Sequence, residues 1–195
     1  MQIERAIKGV KTLGPGNRMV VWVNGCHRGC PGCVSKRLQK DTPQNEQNIN
    51  QYFDQFEFDD LDGITISGGE PFDQIGELLK LIQYILEKQI FDILVYTGYT
   101  IEELNSKRDE RIEYILNHIA VLIDGPYIEA LNDNTGNLKG SNNQRVIVLN
   151  KQFQQKYDEY CKQTRTMQEF DFGKIIVAAG IPTREYINSF TKKED

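Results

Sequence analysis

The chain has little of what a small secreted domain is built from. It holds four cysteines, two histidines and one tryptophan in 195 residues, and three of the cysteines, Cys26, Cys30 and Cys33, fall within eight residues. A disulfide framework spreads its cysteines along the chain, so this clustering argues against one and for metal or redox chemistry in a reducing compartment. Long apolar runs are also missing. None approaches the ~18 residues needed to cross a bilayer, and the opening "MQIERAIKGVKTL" carries charges where a signal peptide is apolar. A cytoplasmic protein with no membrane partner is the expectation. An excess of positive charge is lacking too: 23 Lys and Arg stand against 28 Asp and Glu, for a net charge of -5. The longest basic cluster is the "TKKED" tail, so nucleic acid is not an expected partner. With no internal repeat or linker, the expectation is one domain over residues 1–195, large enough to bury about 70% of its unfolded surface.

What is present is an alternating rhythm. "MVVWV" (Met19 to Val23) reads as a buried strand that runs into the cysteine loop. The polar stretch that follows has Leu38, Ile49, Phe53 and Phe56 as sparse anchors and predicts at best one helix with a solvated lead-in. "GITIS" (Gly63 to Ser67) is a second strand, and Gln74 to Lys88 carries a broad apolar stripe at helical spacing. "DILVY" is a third strand. Thr100, with Glu103 three residues on, predicts a capped helix start, with helical material through "RIEYILNHI". "VLID" (Val121 to Asp124), "RVIVL" (Arg145 to Leu149) and "KIIVAAG" (Lys174 to Gly180) complete a set of six. Alternation of this kind predicts an α/β fold with a mostly parallel sheet. Ligands in such folds sit at the carboxyl ends of strands, where this chain has its cysteine loop, "SGGEPF", "TGYT" and "DGPY". The Gly- and Asn-rich segment 125–143 is too long to be an idle loop.

The cysteine loop, "VNGCHRGCPGCVSK", admits two readings. Zinc would need a fourth ligand from His27 or Cys161. An iron–sulfur cluster is served by three thiolates with one iron left open, and Gly25, Gly29 and Gly32 would let the backbone wrap a bulky group. "ISGGEP" alone could be no more than a tight turn into a helix. Taken with the cysteine spacing, it resembles the radical S-adenosylmethionine superfamily, which pairs C-x-x-x-C-x-x-C with G-G-E-P one strand later. Five ordered blocks, "GPGNRMVVWVNGCHRGCPGC", "ISGGEPF", "VYTGYTIEEL", "LIDGPYIEAL" and "KGSNNQRVI", are similar to the activating proteins of anaerobic ribonucleoside-triphosphate reductases. The sequence departs from that pattern at Val34-Ser35, at Lys139, at Tyr127 and beyond Leu149.

The resemblance implies an incomplete (β/α) barrel of about six mostly parallel strands, open at one side, because an eight-stranded barrel takes ~250 residues. It implies that Cys26, Cys30 and Cys33 hold three irons of a 4Fe-4S cluster and that S-adenosyl-L-methionine takes the fourth. By the same resemblance Gly68, Gly69, Glu70 and Pro71 serve the methionine end, and the backbone of Gly32, Cys33 and Val34 the adenine. The implied activity is reductive cleavage of that cofactor and installation of a glycyl radical on a large protein partner, an anaerobic ribonucleotide reductase, with a small electron-donor protein. Two alternatives stand beside it: the same chemistry on another glycyl-radical enzyme or a peptide, and a non-catalytic zinc- or cluster-binding interaction module. Asp124, at the end of an apolar strand, reads as a cofactor or cation contact, or as a helix cap or a partner for Arg145. Thr97 and Tyr99 share its rim. Arg18 and Arg145 are candidates for carboxylate recognition or ordinary salt bridges, whereas His118, Cys161 and Trp22 read as structural.

Overall fold

The computed structural model describes residues 1–191, so all of the "TKKED" tail but its first residue lies outside the described residues. The strands are β1 (Ile3–Val10), β2 (Arg18–Val23), β3 (Gly63–Gly68), β4 (Ile93–Tyr96), β5 (Val121–Asp124) and β6 (Arg145–Val148), which form one sheet in that order, followed by β7 (Met167–Asp171) and β8 (Ile176–Gly180), which form a second. From β2 to β5 all neighbours are parallel, in registers such as Val21 opposite Ile66 and Val95 opposite Leu122. β1 and β6 are antiparallel edges. The result is a mixed α/β fold with a six-stranded, mostly parallel sheet that does not close.

Two expectations are corrected here, and one strand is added: the N-terminal segment, for which the sequence predicts no element, is β1. "RVIVL" runs antiparallel, because only a connection lies between it and β5 and no helix carries the chain back to the other end of the sheet. "KIIVAAG" is not in the main sheet; it pairs with β7 in a hairpin.

Each parallel crossover carries helix, and the helices all cover one face. They are α1 (Ile49–Phe53), α2 (Ile75–Glu87), α3 (Ile101–Ser106) and α4 (Glu110–His118). Phe53, Leu78, Leu81, Ile82, Leu104 and Ile115 pack on Met19, Val21, Ile64, Ile66, Val95 and Leu122. Each such side chain, fully buried, contributes ~1.5–3 kcal/mol. Thr100 caps α3 as its spacing predicts, with reciprocal bonds of 3.1 Å and 2.8 Å to Glu103. The helical material then breaks at Arg108 (φ 49°) and restarts at Asp109, which caps α4.

The other sheet face is covered by the C-terminal region. Tyr157 and Tyr160 of α5 (Gln154–Tyr160) pack on Leu94, Val121 and Ile123, and Ala179 of β8 packs on Val20. A buried polar bolt fixes this cover. Arg18 is fully buried at the first residue of β2; it donates to Thr65 Oγ1 (2.8 Å) and to the carbonyls of Ile64 and Asp92 (2.9 Å each), and lies 3.2 Å from the Asp92 carboxylate. Asp92 in turn accepts from Lys156 and Tyr157 of α5, both at 2.7 Å. Arg18 is therefore a structural residue at the amino ends of the strands, away from the cysteines.

Candidate active site

The carboxyl ends of β2 and β3 are bound to each other backbone to backbone. Gly69 N–H donates to Val23 O and Glu70 N–H to Gly25 O, each at 2.7 Å. Gly25 is further held by Leu38 O (2.9 Å), and Cys26 N–H donates to Gln39 O at 3.0 Å. Gly68 sits at φ 113°, and a Cβ on Gly69 would lie 2.8 Å from Gly25 C, 3.0 Å from Leu38 O and closer still to Gly25 O. Gly69 is thus required by the close approach of the cysteine loop, and Gly68 by its positive φ and by the backbone of Val23 at the end of β2. Their Cβ directions face protein, so the structure gives them this role beside any contact with a cofactor.

Glu70 sits beneath the junction, almost fully buried. One carboxylate oxygen accepts from Phe72 N–H (3.0 Å) and Thr97 Oγ1 (2.9 Å), and the other from Gly98 N–H (2.6 Å). One side chain therefore ties the loop after β3 to the loop after β4. Burial outweighs these three donors and pushes its pKa from 4.5 up to about 7. Pro71 opens the 3-10 turn Pro71–Gln74, where its missing N–H costs nothing.

Cys26, Cys30 and Cys33 are all half-buried and line one cavity of about 130 Å³, together with Arg28, Gln39, Ser67, Gly68, Gly69, Glu70, Tyr96, Thr97, Gly98, Gly125, Tyr127 and Gln144. Gly25, Gly29 and Gly32 hold φ values of 86°, 59° and 72°, which wrap the loop as its glycines predict. Burial raises the Cys26 and Cys33 thiols, against N–H groups of Arg28 and Gly29 at Cys26 and of Ser35 at Cys33 that favour the thiolate. Three half-buried thiols on one loop, two of them beside N–H donors that favour the thiolate, are a donor set that fits a cluster with three protein ligands. The fourth zinc ligand is not in place. His27 points outward, its side chain 78% exposed and its Nδ1 2.9 Å from Asp73. Cys161 ends α5 and packs with Tyr157 and Tyr160 on the other side of the sheet's interior. Among the described residues no three Cys, His, Asp or Glu side chains converge on a point that would suit a single ion.

The other expected residues sort clearly. Val34 is exposed at the rim, and Gly32, beside Cys33, lies against Glu129. Tyr99 donates to Asp73 at 2.8 Å. Asp124 is not on the cavity wall: it accepts Ile101 N–H at 2.9 Å, at the start of α3, and both Nε (2.9 Å) and Nη2 of Arg145. Arg145 also bonds Glu102 at 3.0 and 2.7 Å, so this pair is a satisfied network joining β5, β6 and α3. His118 stacks on Tyr114 at 3.9 Å. Trp22 is a partial correction: it is half-buried and lines a second cavity of about 150 Å³ that shares Cys33, Ser67, Tyr96, Tyr127 and Gln144 with the first. Arg28 escaped the sequence reading. Its guanidinium lies 4.7 Å over the Tyr99 ring and makes only a long contact (3.8 Å) with Glu103, and it is the cation among the residues lining the thiol cavity. Its place between the first two cysteines was the available signal.

The segment 125–143 earns its length. Gly125 and Tyr127 reach the thiol cavity, while Asn132 and Gly140 line the second. Arg165 pins the segment from below, donating to the carbonyls of Thr135 (2.9 Å), Gly136 (3.0 Å) and Lys139 (2.7 Å) and to Asn132 Oδ1 (3.0 Å).

Comparison with known proteins agrees with this geometry. Residues 12–147 match the model of the 4Fe-4S single cluster domain family. Anaerobic ribonucleoside-triphosphate reductase-activating proteins from Escherichia coli (strain K12) and Salmonella typhi are each 34% identical over 144 residues, covering 70% of this chain and 91% of theirs. That of phage T4 is 29% identical over 144 residues, covering 68% and 85%. The β7–β8 hairpin and α5 lie beyond the family match, in the region where the resemblance stops. By its thiol loop, its clamp to "SGGEP" and these relatives, the chain belongs to the family of anaerobic ribonucleoside-triphosphate reductase-activating proteins, built on a 4Fe-4S single cluster domain.

Proposed function

We propose that the chain is a radical S-adenosylmethionine enzyme that installs a glycyl radical on an anaerobic ribonucleoside-triphosphate reductase in the cytoplasm. The observation that carries this reading is that Cys26, Cys30 and Cys33 line one cavity together with Arg28 and Glu70. The three thiols would hold a 4Fe-4S cluster. Glu70 is the acidic group below the cavity; its pKa is raised to about 7 and a bound ammonium would favour its ionised form, while Arg28 offers a guanidinium to a carboxylate. The pair matches the amino-acid end of S-adenosylmethionine. Thr97 and the Gly98 N–H fix the Glu70 carboxylate, the glycines hold the thiol loop against it, and Cys33 and Val34 line the second, inner cavity, which with the adjoining Gly32 would take the adenosyl part. When bound, cluster and S-adenosylmethionine supply a one-electron cleavage to methionine and a 5'-deoxyadenosyl radical, which takes a hydrogen atom from a glycine Cα of the partner. The electron comes from a small flavin or iron–sulfur protein.

Anaerobic reconstitution tests the reading. About four irons per chain, 5'-deoxyadenosine formed with a strong reductant, and an oxygen-sensitive glycyl radical on the reductase are expected. Tight zinc binding with no brown chromophore would refute it and favour the interaction module. Cleavage of the cofactor with no radical on the reductase would move the target to another glycyl-radical enzyme or a peptide.

A further inference from the structure

A surface groove of about 220 Å³ runs beside the cysteine loop, lined by Val34, Ser35, Arg37 and Leu38, by Ile176, Val177 and Ala178 of β8, and by Glu4, Arg5 and Trp22. The three β8 residues are consecutive. Successive side chains of a strand point to opposite faces, so consecutive lining residues mark the strand's edge. Among the described residues β8 has one strand neighbour, β7, which leaves that edge available for pairing.

Two further observations say what would lie there. Arg5 Nε is a buried donor with no hydrogen-bond partner, its guanidinium 5.8 Å from the centre of the Phe172 ring. The accessible part of the same guanidinium would donate to a peptide carbonyl in the groove. Val34 and Ile176, both lining the groove, are 57% and 63% exposed, and Phe172 is exposed beside Arg5. The groove is also continuous with the site: Trp22, Val34 and Ser35 line the inner cavity as well, and that cavity reaches Cys33.

We propose that an extended segment of the reductase docks here as an added strand on β8, apolar at alternate positions and small where it turns in past Ser35 toward the thiols. The inference rests on the activase reading and adds the face by which the chain takes its partner. The hairpin that brings β8 to the groove lies outside the matched family region, so this mode of capture belongs to the C-terminal part of the chain.

The test uses the reconstituted full chain with the purified anaerobic reductase. Hydrogen exchange at those of the Ile176, Val177 and Ala178 amides that point away from β7 should slow when the reductase is added. Ile176→Asp should weaken reductase binding and glycyl-radical yield at least about tenfold while leaving iron content and 5'-deoxyadenosine formation without partner unchanged. Arg5→Met, which keeps the stem and removes the donor, should weaken binding in the same direction, and Phe91→Asp, an exposed apolar site elsewhere, should not. A wild-type chain that cleaves the cofactor and activates the reductase while Ile176→Asp does so equally well, or while those amides stay unprotected, overturns the groove and leaves the activase reading standing. Protection that grows with chain concentration and no reductase would assign the groove to self-association and also overturn it. If the wild-type chain forms no 5'-deoxyadenosine, the activase reading fails first and this inference with it.

Discussion

Replacing Gly69 by alanine isolates the contact on which the site depends. The added Cβ would fall 2.8 Å from Gly25 C and 3.0 Å from Leu38 O, and nearer to Gly25 O. These are backbone atoms, so no side chain can swing away. Restoring ordinary contact moves the loop start back by roughly 1 Å, which stretches the two 2.7 Å bonds, Gly69 N to Val23 O and Glu70 N to Gly25 O, out of hydrogen-bonding range. Two lost bonds at ~1 kcal/mol each and ~1–3 kcal/mol of overpacking give about 3–5 kcal/mol, or roughly 10 °C in Tm for a domain of this size. Cys26 follows Gly25 directly, so the first thiol moves away from the other two. Thermal melting and iron content after anaerobic reconstitution measure both effects. Gly29→Ala is the comparison: nothing lies within 4 Å of its Cβ, but its φ of 59° costs an alanine about 1–2 kcal/mol. It should keep its iron. If Gly69→Ala melts within 2–3 °C of wild type (about 1 kcal/mol) and loads iron fully, the clamp is not what aligns the two motifs.

Other outcomes follow from the same contacts. Glu70 carries a folded-state pKa of about 7 against 4.5, so the unfolded chain releases this proton first; stability is full below pH 4.5, falls as pH rises through 7, and then levels off. At ~1.4 kcal/mol per pH unit the effect is about 3 kcal/mol, and Glu70→Gln should flatten that part of the melting profile of the cluster-free chain. Glu102, held at about 2 by Arg145, has the opposite sign: its contribution is present above pH 4.5 and disappears as pH falls through 2, so Arg145→Gln should reduce the loss of stability measured on acidification. Arg18→Met removes a buried ion-pair partner at the far end of the sheet, which should cost about 3–5 kcal/mol with iron loading intact below the lowered Tm; iron loss at unchanged Tm would place Arg18 in the site after all. Arg165→Ala frees the segment 125–143, where limited proteolysis should speed up by about tenfold with little change in global melting.

The sequence by itself determined the alternation of strands β2 to β5 with helices and the loops that meet at their carboxyl ends. Each of these rests on short-range periodicity or on capping, as at Thr100 and Glu103, and such signals are complete within a dozen residues. It also brought out the cysteine spacing and "SGGEP" as one pair. Only the tertiary structure decided which strands turn antiparallel and which join the main sheet. β1 with β2 and β7 with β8 pair as neighbours across short connections, but that the second pair stays outside the main sheet is set by packing between distant segments, as of Ala179 on Val20. The fate of charges was hidden for the same reason. Arg18 and Arg28 look alike in sequence, yet one is consumed by Asp92, 74 residues on, and the other faces the thiols. Gly69 is the sharpest case: the resemblance assigns it to the methionine end of the cofactor, and the folded chain sets its Cβ direction against the backbone of Gly25, the residue before the first cysteine.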